Sequence, residues 1–329
     1  MAAAGDRRAL AGRRTDYTGR TMPLTLDLEF LGRPGVIATA AIPCDGGVVL
    51  VDPGPSSCLP ALTSALGARG YGLGDVRALL ITHIHLDHAG AAGSLALACP
   101  DLPVYVHTIG ARHLASPEKL LASATRLYGA DMDRLWGPFL PVPEAAIRSL
   151  DGGESVTIGG RSFDVAYTPG HAVHHVSYLD VADRTAYVGD TAGIAIGRYV
   201  LAATPPPDID LERWQASLDV IDAWAPSSLF LTHFGLVPDP GGHLGRYRAV
   251  LRRSAERARD AIRTGGDEPA LIEAWVRWLR EDARRVLSEE AAAGAEAAAP
   301  FDQIWQGLAR YWRKRVEREG VAAFDAPLP

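Results

Sequence analysis

The segment ITHIHLDHAG at residues 81–90 constrains this chain more than any other stretch. It closes an apolar run that reads as a strand and opens the small-residue run AGAAGSLALAC, which reads as a helix. His83, His85, Asp87 and His88 therefore fall within six residues at a strand-to-helix turn, where loop side chains can converge on one point. Neutral imidazole and carboxylate are the donors that borderline divalent metals such as Zn²⁺ select. Taken singly, an aspartate before a helix is an N-cap and a histidine is a hydrogen-bonded structural residue. Four together at this density point to a metal.

Around this segment the chain alternates strand and helix signals. GVIATAAIP (35–43), GVVLVDPG (47–54), VRALLITH (76–83) and LPVYVH (102–107) are short Val- and Ile-rich runs bounded by turn residues, several of them expected to be buried on both faces. PSSCLPALTSALGARG and AGAAGSLALAC between them carry apolar residues at spacings of three and four, as helices do. Strands resume with ESVTIGG, RSFDVAYTPG, HHVSYLD and RTAYVGD, the last two forming a hairpin that turns at Ala182-Asp183-Arg184. A helix over 210–224 and a strand SLFLTH follow. This is α/β material.

Two regions depart from the rhythm. Residues 110–148 contain two short helical stretches, SPEKLLASATRLYG, opened by Ser116 as a cap with Pro117 behind it, and DMDRLWGPF. Their large apolar residues, Tyr128, Trp136 and Phe139 among them, suit either a lid over a cleft that takes a greasy group or packing against the parent sheet. From His243 onward three single-stripe helical stretches follow, with the Ala-rich AAAGAEAAAP as a linker or helix extension. The expected organisation is a flexible lead at 1–22, a catalytic domain at 23–242 with the 110–148 insertion, and a helical extension at 243–329 docked on the core or on a second copy of the chain in a homodimer.

Composition narrows the function. The 329 residues are 47% hydrophobic and 22% charged, which fits a packed globular protein. A net charge of −6, from 33 basic and 39 acidic residues, gives no overall field for polyphosphate, so nucleic acid is not the expected partner. Cys44, Cys58 and Cys99 form neither a disulfide framework nor a CxxC pair. The first twenty residues hold five arginines but no signal-peptide apolar stretch, and no run of eighteen apolar residues occurs, so a cytoplasmic protein without membrane contact is expected.

Three further donors stand past the ends of expected strands: His171 in YTPGHAVHH, Asp190 in YVGDTAG and His233 in FLTHFG. Seven donors suit two metals with one side chain bridging and a position left for solvent. No GxSxG elbow offers a serine nucleophile instead. Of the remaining histidines, His174 and His175 are expected to support rather than ligate. His113 and His243 are expected at the surface, and Tyr178 as a buried strand tyrosine.

THIHLDHAG, with VDPG before it and TPGHAVHH, GDTAG and LTHFG after it in that order, closely resembles the metallo-β-lactamase-fold hydrolases, nearest to the glyoxalase II-like branch. The likeness spans about residues 23–240. It implies an αββα sandwich with a binuclear site along one edge, holding two divalent ions, Zn²⁺ first and iron or manganese as alternatives. His83, His85 and His171 would hold one ion, Asp87, His88 and His233 the other, with Asp190 bridging and Asp52 steadying the ligand loop. Hydroxide generated there would attack the carbonyl of a small thioester, ester or lactone, with Asp87 handling the proton.

The chain also departs from its look-alikes. GDTAGIAIGRYVLAATPPPDID replaces the Leu-Phe and Gly-Cys-Gly-Arg segment of glyoxalase II, and Gly193 stands where acyl-homoserine lactonases place a tyrosine. The rival readings are a persulfide dioxygenase-like enzyme, with one iron on the equivalents of His83, His171 and Asp190, and a phosphodiester hydrolase.

Overall fold

The computed structural model describes residues 22–326 and 328. The lead at 1–22 lies, but for Met22, outside the described residues. The first half runs β1 (Leu24–Asp27), β2 (Ala38–Cys44), β3 (Gly47–Val51), α1 (Leu59–Gly67), β4 (Val76–Leu80), α2 (Leu86–Ala89), α3 (Ala92–Ala98), β5 (Val104–His107), α4 (Thr108–Ala115), α5 (Glu118–Tyr128), α6 (Met132–Trp136) and β6 (Ile147–Leu150). Then follow β7 (Ser155–Ile158), β8 (Arg161–Tyr167), β9 (Val176–Asp180), β10 (Thr185–Tyr187), β11 (Ile194–Ile196), β12 (Tyr199–Leu201), α7 (Leu211–Ala223), β13 (Ser228–Leu231) and β14 (Gly235–Val237). The chain closes with α8 (Pro240–Thr264), α9 (Glu268–Arg284), α10 (Glu289–Ala298) and α11 (Phe301–Glu319).

Two six-stranded mixed sheets, ordered β1-β2-β3-β4-β5-β6 and β14-β13-β10-β9-β8-β7, face each other, and β11 and β12 form a small hairpin. The period-2 alternation of strand side chains explains the layering. Ala40, Ile42, Val49, Val51, Ala78 and Leu80 of the first sheet point inward to meet Phe163, Val165, Val176, Tyr178, Tyr187 and Phe230 of the second. The outward residues of the same strands, Ala41, Val48, Leu50 and Leu79, pack on Leu62 and Leu66 of α1 and Leu95 of α3. Leu179, Ala186, Leu229 and Leu231 face outward from the second sheet and pack on Trp214, Leu218 and Ile221 of α7. The result is an αββα sandwich, as expected, and the near-continuous apolar runs are explained because both strand faces are buried.

The same outer cluster on the second sheet continues through Leu244 and Tyr247 of α8, Trp275 and Leu279 of α9, and Trp305, Leu308 and Trp312 of α11. AAAGAEAAAP is neither linker nor extension but mostly a separate helix, α10, opened by the Ser288 side chain accepting from Ala291 N–H. In the insertion, Ser116 closes α4 instead of opening α5, which starts after Pro117 with no side-chain cap. Ser116 N–H bonds Arg112 O as the last turn of α4 closes, and α4 itself opens at His107, whose Nδ1 accepts from Ile109 N–H. No helix among the described residues is long and apolar enough to cross a membrane.

Candidate metal centre

Strand direction gathers the donors. β3 and β4 are parallel, β10 and β13 are parallel, and β8 runs the same way as β10 because each pairs antiparallel with β9. Asp52 directly follows β3; His83 and His85 follow β4; His171, Asp190 and His233 follow β8, β10 and β13. These five strands, drawn from both sheets, thus deliver polar residues past their C-terminal ends, and the single turn of α2 adds Asp87 and His88.

The side chains converge as two triads. His83 Nε2 and His171 Nε2 each lie 3.0 Å from His85 Nδ1. Around the second triad, His233 Nε2 is 3.2 Å and His88 Nε2 3.6 Å from Asp87 Oδ2. Asp190 stands between them, with Oδ2 at 3.5 Å from His171 Nε2 and Oδ1 at 3.4 and 3.7 Å from His88 Nε2 and His233 Nε2. Within each of the sets His83/His85/His171, His83/His88/Asp190 and Asp87/His88/His233, the donor atoms lie within 4.8 Å of one another.

Hydrogen bonds on the far side of the rings fix which nitrogen faces inward. His171 Nδ1 donates to Ala203 O at 3.0 Å and His233 Nδ1 to Val36 O at 2.7 Å. His88 Nδ1 bonds Asp52 Oδ2 at 2.7 Å. Each arrangement leaves Nε2 as the group aimed at the cluster, the orientation that ligating histidines need. Asp52 is fully buried with φ +50, a left-handed conformation that aspartate tolerates better than most residues. Its carboxyl accepts from Thr82 N–H, Thr82 Oγ1 and Thr232 Oγ1 at 2.7–2.8 Å, and so ties the ends of β3, β4 and β13 together. Thr82 Oγ1, having given its proton to Asp52, is placed to accept from His83 Nδ1 at 3.1 Å.

The donor set fits a cation. His88 Nε2, His233 Nε2 and Asp190 Oδ1 are buried without a hydrogen-bond partner among the described residues. Such orphaned groups cost free energy unless something else engages them. Electrostatics point the same way. Burial and the crowding of neighbouring imidazoles hold His83 well below its ordinary pKa, and burial lowers His85, and His171 to about 4. Burial would raise the two carboxyls, but His88 and His233 outweigh it, taking Asp87 down to about 2 and Asp190 well below the usual range. Conversely, Asp190 and Asp87 overcome burial to raise His88 and His233. The first triad is thereby held as neutral imidazole donors, while beside the second the carboxylates stay ionised and draw positive charge toward His88 and His233.

A cavity of about 330 Å³ opens over His85, Asp87 and Asp190. One wall is the insertion, with Leu120, Leu127, Tyr128 and Trp136; the opposite wall comes from α10 and α11, with Ala298, Gln303 and Ile304. Tyr128 Oη donates to Gln303 Oε1 at 3.3 Å across the join. Trp136 stacks on Phe30 at 5.6 Å and meets Tyr128 edge-on at 5.0 Å. Phe139, expected beside them, is not part of the cavity wall; it packs against the apolar cluster on the outer face of the first sheet, to which Tyr128 and Trp136 also belong.

His174 lines the cavity and accepts weakly from Ile84 N–H, while His175 stacks on His83 at 4.9 Å and bonds Thr168. His243 is buried, donating to Ala192 O at 2.9 Å, which corrects its expected surface position; α8 is covered where a free helix would be exposed. Sequence reasoning passed over Thr82 and Thr232. Their signal was the repeated Thr-His pair, ITH at 81–83 and LTH at 231–233, each ending a strand. Gln303 and Ile304 carried no such signal.

The profile of the metallo-beta-lactamase superfamily matches residues 42–233, and the chain belongs to that superfamily. A metallo-beta-lactamase fold-containing protein of Sulfurisphaera tokodaii is 31% identical over 206 residues, 61% of this chain and 74% of that protein. A hydroxyacylglutathione hydrolase of Methylobacterium sp. is 26% identical over 283 residues, 82% of this chain and 94% of its own length. Among solved structures, an archaeal superfamily protein from Sulfolobus tokodaii superposes with TM-score 0.61 at 20% identity, covering 87% of this chain and 97% of that one, a likeness of fold. The chain is a metal-binding hydrolase of this superfamily.

Proposed function

We propose that the chain is a binuclear zinc hydrolase that cleaves the bond from the carbonyl carbon to the leaving sulfur or oxygen of a small thioester, ester or lactone. The carrying observation is Asp190, whose two oxygens face different triads, Oδ2 toward His171 and Oδ1 toward His88 and His233. His83, His85 and His171 would hold one ion, and Asp87, His88 and His233 the other. Bound divalent ions lower the pKa of water toward neutrality and polarise a carbonyl.

The chain's own residues do the rest. Asp87, with a side chain 17% exposed, is the ligand carboxylate most open to the cavity. Its carboxylate can take a proton from the attacking water and return it to the leaving group. The apolar walls at Leu86, Leu127, Trp136 and Ile304 exclude bulk water and accept an apolar acyl group. The hydroxyacylglutathione hydrolase relatives support a thioester among the candidate carbonyls.

Metal analysis paired with a panel of acyl thioesters, esters, lactones, phosphodiesters and persulfides tests the proposal. About two zinc ions per chain, turnover of a carbonyl substrate and its loss on chelation are the expected results. Asp87→Ala should lower kcat by about a hundredfold or more. One iron per chain with oxygen uptake on a persulfide would replace this reading.

A further inference from the structure

Of the residues lining the cavity, only Arg112, Lys119 and Pro207 are exposed; the rest are half-buried or buried. These three therefore mark the mouth, and two of them are cations at the corner between α4 and α5. Among the described residues neither cation has a carboxylate partner: Arg112 Nε reaches only His113 Nε2 at 3.3 Å. Elsewhere on this surface arginines are commonly paired, as Arg253 is with Asp282 and Arg280 with Glu296. Asp208, half-buried and next to Pro207 in the chain, is the one acid of the wall outside the metal centre. The interior between mouth and metal centre is mainly apolar, with Ile84, Leu86, Ala124 and Ile304; its polar side chains outside the metal centre include Ser123, His174 and Gln303, with a carboxylate only at Asp208.

Resting on the hydrolase reading above, we propose that the substrate is an apolar acyl group joined to a leaving group that carries negative charge, phosphate or carboxylate, which Arg112 and Lys119 bind at the mouth. The acyl chain lies along the apolar interior, the carbonyl sits over the metal centre, and the leaving group points out past the α4–α5 corner. In the hydrolysis, water oxygen bonds to the carbonyl carbon and the carbon–sulfur bond breaks. One water proton ends on the thiol, and the acid departs as carboxylate, releasing the other. No further reactant is required.

The test holds the acyl group constant. Octanoyl thioesters of N-acetylcysteamine, which is neutral, of a mercaptocarboxylic acid, and of phosphopantetheine are compared on the metal-loaded enzyme. The expected result is kcat/KM about tenfold higher for the charged leaving groups at low salt, expressed in KM and shrinking as salt rises to about 0.5 M. A preference for phosphopantetheine over the carboxylate assigns the anion as phosphate; equal preference assigns either anion. The double variant Arg112→Gln, Lys119→Gln should lose at least about fivefold more on the charged thioesters than on the neutral one. Equal kcat/KM for all three, or a preference that survives the double variant, overturns the proposal while leaving the hydrolase intact. Turnover of none of the three overturns the thioester reading and this proposal with it.

Discussion

Single residues here act through what they bond behind them. Asp52 touches no substrate position, yet four hydrogen bonds from His88, Thr82 and Thr232 make it the point where three strand ends meet. A histidine outside the centre shows the cost of burial more simply. His243 is buried with its Nε2 donating to Ala192 O, and burial lowers its pKa below the ordinary 6.5. The unfolded chain therefore binds a proton at a higher pH than the folded one. Stability from this group is complete above about pH 6.5 and declines as pH falls toward the folded pKa, by at most about 1.4 kcal/mol per pH unit. His243→Gln keeps a donor for Ala192 but cannot titrate. Thermal melts should show the loss of Tm between pH 7.5 and 5.5 to be smaller in this variant than in the parent chain; equal losses would show that His243 does not titrate on unfolding.

At the scale of elements, α11 reaches the metal centre through one loop. Ala203 O orients His171, and the adjacent Thr204 donates through Oγ1 to Ile304 O at 2.9 Å. Gly307 lets the helix lie directly on that loop, since a Cβ there would sit 1.8 Å from Thr204 O. Gly307→Ala must push the loop away. We expect a destabilisation of about 1–3 kcal/mol and, because Ala203 shifts with Thr204, metal affinity weakened by about tenfold or more. Metal titration and thermal melts read the two effects; unchanged affinity in a destabilised variant would mean that the loop yields without moving Ala203. The insertion meets the same helix from the other side, where Tyr128 bonds Gln303.

For the whole molecule, the outer layer of the second sheet joins β10 and β13 to α8, α9 and α11 in one apolar cluster that buries Trp214, Tyr247, Trp305 and Trp312 completely. Removing residues 240–329 would take α8–α11 out of that cluster, leaving α7 without cover, and would remove one wall of the cavity. The truncated chain should be insoluble or lack a cooperative melt, because several large aromatic and aliphatic side chains lose cover at about 1.5–3 kcal/mol each. A soluble, cooperatively melting product would instead show the C-terminal helices to be a detachable appendage.

Much of this was legible in the chain because the signals were local. ITHIHLDHAG, the Val-rich strands and the turn at Arg184, with φ +61, are each written within a few residues. Strand-end positions for His171, Asp190 and His233 followed from periodicity, and their order along the chain matched a known arrangement. Other features were not local. Whether Phe139 lines the cavity, whether His243 is covered and that Gln303 faces Tyr128 depend on how segments from distant parts of the chain pack together. The sequence by itself determined which donors exist and at which strand ends they stand, since residue type and alternation are properties of short segments. Only the tertiary structure decided which nitrogen of each imidazole faces inward and what walls the cavity, because both depend on backbone carbonyls and helices brought together by the folding of the two sheets.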